Sequence, residues 1–204
     1  MEPEMTVGMV GLGKLGLSIA SCFADNGFNL VGVDINEDFV RKINAGKTPF
    51  RETGLQDAIS RCAGKSLKAS TDFSTLDAAR WIFVIVPTPS KKDGVYSNDF
   101  VIPAARSIAK VLKQSSGYKV VAITSTVFPG TMNNLIKPLL ESESGKKCGR
   151  DFGLVYNPEF IAQGSLIRDF LNQEMVLIGE YDKRSGDEIA ALYMKVQKTP
   201  PNIA

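Results

Sequence analysis

The 204 residues include no histidine. That absence excludes Ser-His and Cys-His nucleophile systems, the histidine base of many hydroxy-acid dehydrogenases, and the usual histidine-based zinc sites. Any acid–base chemistry must then use Lys, Glu, Asp, Tyr, Cys or water. Cysteine is scarce: Cys22, Cys62 and Cys148 form no Cys-x-x-Cys pair. An odd, dispersed set fits a reducing cytoplasm better than a disulfide framework, and no metal-ligand cluster is visible. No apolar run approaches the ~18 residues that a membrane helix needs. The start Met1-Glu2-Pro3-Glu4 lacks the basic segment of a signal peptide. Neither sign of charge dominates, since the net charge is +2 and the basic pairs (Lys91-Lys92, Lys146-Lys147) are short. Neither a nucleic acid nor a membrane is therefore expected as a partner.

What is present is an ordinary globular balance, 44% hydrophobic and 23% charged residues, arranged as strand-like apolar runs between segments of helical period. Strands are predicted at Thr6–Val10, Leu30–Asp34, Leu67–Ser70, Trp81–Val86, Lys119–Thr124, Phe152–Tyr156 and, last, Met175–Ile178. Helices are predicted at Lys14–Asn26, Glu37–Ala45, Gly54–Cys62, Phe100–Lys113, Thr131–Glu141 and Asp187–Gln197. Gly27 and Gly46 stand where helix C-terminal glycines belong, and Cys22 falls on the apolar face of the first helix, as a small hydrophobe would. Near-continuous apolar strands alternating with helices predict an α/β fold, a doubly wound, mostly parallel sheet of Rossmann type. The only polar loop of note is Ser90–Asn98. One domain over residues 1–198 is expected, followed by a Pro-broken, ragged tail at 199–204.

The segment Gly11-Leu12-Gly13-Lys14-Leu15-Gly16 follows a strand and opens a helix, the context that gives a GxGxxG pattern its meaning. Gly11 permits the tight turn, Gly13 lets the backbone approach a pyrophosphate, and Gly16 allows close packing of helix on strand. Amides exposed at the helix start favour an anion. Asp34 ends the second strand 18 residues after Gly16. A carboxylate there accepts both adenosine ribose hydroxyls and repels a 2′-phosphate, which favours NAD over NADP. The alternative is a glycine turn without a cofactor, with Asp34 a solvated strand end. No tyrosine is followed four residues later by lysine, so the Tyr-Lys pair of short-chain dehydrogenases is missing.

Ligands of a doubly wound sheet sit at the carboxyl ends of its strands, and three of those ends carry unusual sequences: Val86-Pro87-Thr88-Pro89, Ser125-Thr126-Val127-Phe128-Pro129-Gly130-Thr131, and Asn157-Pro158-Glu159-Phe160-Ile161-Ala162-Gln163-Gly164. With GLGKLG, VGVDIN, PF-x-E-x-GL, VPTP-x-x-x-DG, and RDF followed by VLIGE, their order and spacing resemble the UDP-glucose/GDP-mannose dehydrogenase family over nearly the whole chain. The resemblance implies oxidation of a nucleotide-sugar C6 alcohol to a carboxylate with two NAD+ in turn, UDP-glucose to UDP-glucuronate being the first expectation. It implies cofactor contacts at Gly11, Leu12, Gly13, Lys14, Leu15, Gly16, Asp34, Pro87, Thr88, Pro89, Ser125, Thr126 and Gln163. Glu159 would manage a catalytic water or proton with help from Thr126, and Glu159, Phe160 and Ile161 would meet the nucleotide-sugar. The plainer readings are that Pro87 and Pro89 end a strand, Thr126 is a polar strand end, and Glu159 is a surface acid.

Two positions depart from the family pattern. Gln163 stands where UDP-glucose-type members often have a second glutamate, and glutamine cannot act as a base. Phe39 stands where many members place Lys or Arg, with Arg41 two residues away. The resemblance also calls for a cysteine nucleophile in a Gly-x-Cys loop, and for a lysine and an asparagine on a long helix after the first domain. No cysteine here has that context, so the chain reads as an N-terminal part, inactive alone. It would belong to a cytoplasmic enzyme that dimerises through that helix. Two other readings compete: a non-catalytic NAD-binding sensor or scaffold, and another β-hydroxyacid-type dehydrogenase, against which the Asn157–Gly164 block speaks.

Overall fold

Aliphatic and aromatic residues fill the short runs predicted as strands, and their alternation decides which helices cover each face. The structure, a computed structural model, describes residues 5–90 and 94–204. Met1–Glu4 and the Lys91-Lys92-Asp93 part of the polar loop lie outside the described residues. A seven-stranded sheet is built from β1 (Thr6–Val10), β2 (Asn29–Val33), β3 (Leu67–Ser70), β4 (Trp81–Val84), β5 (Val120–Ile123), β6 (Gly153–Tyr156) and β8 (Gly179–Glu180). Its order is β3-β2-β1-β4-β5-β6-β8, parallel except for the last strand, which runs antiparallel to β6. Strand order reverses between β1 and β4, so a crevice opens there at the carboxyl ends.

Every residue of β1 and of β5 is buried, as expected of strands covered on both faces. Val7, Met9, Phe83, Val120 and Ala122 point into one core, against α1 (Lys14–Asp25), α3 (Leu55–Cys62), α6 (Leu166–Phe170) and α7 (Lys183–Val196). Val10, Ile82, Val84, Val121 and Ile123 point into the other. That second core is closed by a 3-10 turn (Phe73–Ala78), α4 (Val101–Gln114) and α5 (Lys137–Ser144). Phe23 of α1 anchors the first core, its ring 5.5–5.8 Å from Phe83, Phe28 and Phe170. Cys22 is buried beside it. The short α2 (Glu37–Asn44) is started by Asn36, whose Oδ1 accepts the N–H groups of Asp38 and Phe39.

The structure departs from the sequence reading at several elements. The predicted helix Thr131–Glu141 opens instead as a π turn (Met132–Ile136) before α5. Pro138 has no N–H, and its ring would strike the carbonyl of Asn134 in a regular α-helix; the wider turn relieves both. The last predicted strand is shorter, β7 (Met175–Val176), and stands outside the main sheet. It pairs in parallel with β9 (Asn202–Ile203), so the tail is not ragged. Pro200 and Pro201, past the end of α7 at Val196, bring no N–H, yet the Asn202 and Ala204 N–H groups donate to the Glu174 and Val176 carbonyls, both at 3.0 Å. Finally, α7 begins at Lys183, four residues before the prediction, because Asp182 caps it by accepting the Ser185 N–H. Among the described residues no helix is long and apolar enough to cross a membrane.

Candidate functional site

The glycine turn joins β1 to α1 at the point where the strand order reverses, and its three glycines meet three different surroundings. Gly11 adopts φ 94°, and a Cβ there would lie 2.2 Å from the Ile85 carbonyl oxygen. A Cβ at Gly16 would lie 2.0 Å from the Gly11 carbonyl oxygen. At Gly13 a Cβ would meet nothing within 4 Å. Two glycines therefore let helix and strand close on each other, and the third leaves a gap above the start of α1. Gly13 is also the N-cap of α1 and offers no side chain to its first amides, so those donors and the positive end of the helix dipole face the gap.

Asp34 stands beside this turn at the end of β2. Its Oδ2 accepts the Leu12 N–H at 2.7 Å and its Oδ1 accepts the Asn36 N–H at 2.9 Å. Leu12 is fully buried and does not line the cleft; its N–H is taken by Asp34. A cavity of about 760 Å3 runs from the turn along the carboxyl edge, lined by Gly11, Gly13, Lys14, Leu15, Gly16, Asp34, Pro87 and Gln163. Sequence reasoning missed its apolar wall of Ile35, Phe39, Phe73, Phe100, Pro103 and Ala104. An available signal was Ile35, an aliphatic residue placed directly after the strand-end acid and 79% exposed. A turn that admits no Cβ at two positions, an open gap at the third and a strand-end carboxylate fit a dinucleotide.

The other sequence-predicted residues lie around this cavity rather than on it. Ser125 is buried and ties two loops together: its hydroxyl accepts the Val86 N–H at 2.9 Å and donates to the Val86 carbonyl at 2.8 Å. Thr88 is half-buried; Pro89 and Thr126 are exposed. Lys14 Nζ reaches Gln163 Oε1 at 3.4 Å, bridging the glycine turn and the loop after β6. In that loop Phe160 is exposed and Ile161 half-buried.

Glu159 is half-buried, and its Oε1 accepts the Phe160 N–H at 3.0 Å and a short bond from Gln173 Nε2. Burial pushes its carboxyl up to about 7, while those two hydrogen bonds act in the opposite direction. The loop is anchored by residues the sequence reading did not single out. Buried Asn157 donates to the Leu177 carbonyl at 2.9 Å and accepts the Tyr193 hydroxyl at 2.7 Å. Glu52 accepts the N–H groups of Gly164 and Leu166 at 3.0 and 3.1 Å, which caps α6 and pins the loop end. Only its place in the PF-x-E-x-GL block marked Glu52 in the sequence. Among the described residues no cluster of acids and cysteines could hold a metal.

Residues 5–197 match the family described as UDP-glucose/GDP-mannose dehydrogenase family, NAD binding domain. A GDP-mannose 6-dehydrogenase of Pseudomonas syringae pv. tomato is 39% identical over 191 residues, 93% of this chain and 44% of that protein. A UDP-glucose 6-dehydrogenase of Haloferax volcanii is 34% identical over 189 residues, again 93% and 44%. The crystal structure of a ternary complex of GDP-mannose dehydrogenase from Pseudomonas aeruginosa superposes with a TM-score of 0.93 at 35% identity, covering 98% of this chain and 46% of that one. The chain thus spans less than half the length of these relatives. It belongs to the UDP-glucose/GDP-mannose dehydrogenase family and carries that family's NAD binding domain.

Proposed function

We propose that this chain is the cofactor-holding part of a nucleotide-sugar 6-dehydrogenase, an NAD-dependent oxidoreductase that takes a sugar C6 alcohol to a carboxylate. The observation that carries the reading is the glycine turn with open space at Gly13 beside the Asp34 carboxylate. The first amides of α1 hold the pyrophosphate. Asp34 receives the adenosine ribose hydroxyls on lone pairs left free by Leu12 and Asn36, and excludes a 2′-phosphate. Ile35, Phe39 and Phe73 give the adenine an apolar wall. Pro87, Thr88 and Pro89, in a loop braced by Ser125, border the nicotinamide ribose, and Gln163 offers an amide to the same end. Bound NAD supplies the two-electron acceptor. Thr126, Phe160 and Ile161 face the sugar nucleotide, and Glu159, with its carboxyl titrating near neutrality, takes and returns a proton. Identities of 39% to a GDP-mannose enzyme and 34% to a UDP-glucose enzyme favour GDP-mannose as the sugar nucleotide to try first, ahead of the UDP-glucose suggested by sequence.

Calorimetric titration of the chain with NAD and NADP tests the cofactor reading. NAD should bind, NADP should bind at least about tenfold more weakly, and Gly13→Val should abolish binding while the fold persists. Equal affinity for both cofactors, or undiminished binding by Gly13→Val, would refute it.

A further inference from the structure

Glu159 is attached to the fold through two glutamine side chains, and the direction of each hydrogen bond is fixed from the far end. Gln197, which follows α7, meets two backbone groups: its Oε1 accepts the Gln173 N–H at 3.0 Å, and its Nε2 donates to the Phe170 carbonyl. A backbone N–H can only donate and a backbone carbonyl can only accept, so the Gln197 amide has one orientation. Its Nε2 also donates to Gln173 Oε1 at 2.9 Å. The Gln173 amide is thereby turned as well, with Nε2 aimed at Glu159 Oε1.

Glu159 Oε1 thus faces two donors, the Gln173 amide and the Phe160 N–H, and neither can act as an acceptor. A proton placed on Oε1 would have to displace one of them. Oε2 has no hydrogen-bond partner among the described residues. The titratable side chain facing this carboxyl is the Tyr193 phenol of α7, and its hydroxyl is committed to Asn157. No ionised side chain contributes to the shift of Glu159.

We propose that Gln197 and Gln173 are positioning residues forming a one-way hydrogen-bond relay that reserves Glu159 Oε1 as an acceptor, so that the exchangeable proton of Glu159 resides on Oε2. The relay gives the carboxyl one oxygen fixed as an acceptor and one free to carry the proton. Its relevance to catalysis rests on the reading of Glu159 as the proton-handling group.

The test is a pH titration of the chain with its glutamate carboxyl carbons labelled, followed by NMR, for the unchanged chain, Gln173→Leu, Gln173→Met, Gln197→Leu and the Gln173→Leu/Gln197→Leu double variant. Loss of the Gln173 donor removes a bond to the ionised form, so either Gln173 variant should raise the Glu159 midpoint by about one pH unit. Gln197→Leu frees the Gln173 amide to turn and should raise it less. The double variant should match Gln173→Leu alone. An unmoved or lowered midpoint in both Gln173 variants overturns the relay, as do additive shifts in the double variant. The titration needs neither cofactor nor sugar. Its failure would leave the role of Glu159 untouched, and that role is judged separately by turnover of Glu159→Gln with the nucleophile-bearing segment present.

Discussion

At the scale of single residues, the three glycines of the turn make separable predictions. Gly16→Ala forces a Cβ to within 2.0 Å of a backbone oxygen, so it should destabilise the chain by about 2–3 kcal/mol or more, seen as a lower urea midpoint. Gly13→Ala projects into open space and should shift that midpoint little, while weakening NAD in a binding titration. The sequence already marked Gly16 for helix–strand packing and Gly13 for an open approach; that the atom Gly16 meets is the Gly11 carbonyl oxygen was not readable, because it depends on where that carbonyl points. Glu159 supplies a pH prediction. Its folded carboxyl titrates near 7 against an ordinary value of 4.5, so its protonated form is favoured by folding. The stability it contributes is full below about pH 4.5 and is lost as pH rises through about 7, on the order of 2 kcal/mol. Glu159→Gln should therefore match the unchanged chain near pH 4 and melt higher at pH 8, by on the order of 5 °C.

At the scale of elements, the buried apolar strands were legible because a sheet covered on both faces writes near-continuous hydrophobic runs. The pieces that escaped had too few residues to carry a period. Among them are β8, only Gly179 and Glu180; β9, only Asn202 and Ile203; and α6, five residues whose start depends on a partner far away in sequence. That partner, Glu52, binds two amides of the segment at Gly164 and Leu166. Glu52→Ala should cost about 1–2 kcal/mol. Hydrogen exchange at the Gly164 and Leu166 amides should speed up more than in the β-strands. Uniform acceleration across the sheet would instead make Glu52 a general determinant of stability.

At the scale of the whole molecule, the chain holds a cofactor cleft and a proton-handling candidate but no activated thiol. Burial pushes the Cys22 thiol up to about 12 and those of Cys62 and Cys148 up to about 11, and none of the three lines the cleft. A thiolate nucleophile needs the opposite setting, exposed and electropositive. The purified chain should accordingly bind NAD yet form no NADH from GDP-mannose or UDP-glucose. Steady absorbance growth at the NADH band, abolished by replacing one of the three cysteines, would locate a nucleophile within these residues after all.

The bond from the Leu12 amide to Asp34 has a consequence for anyone wishing to redesign coenzyme preference. The carboxylate proposed to discriminate against a phosphorylated ribose also braces, through the Leu12 N–H, the loop proposed to receive the pyrophosphate. Exchanging it for a cationic side chain would recruit the phosphate and slacken the loop in one stroke. A usable conversion to NADP needs a second substitution that gives the Leu12 N–H a new acceptor. Selectivity and shape are here one trait, and they have to be altered together.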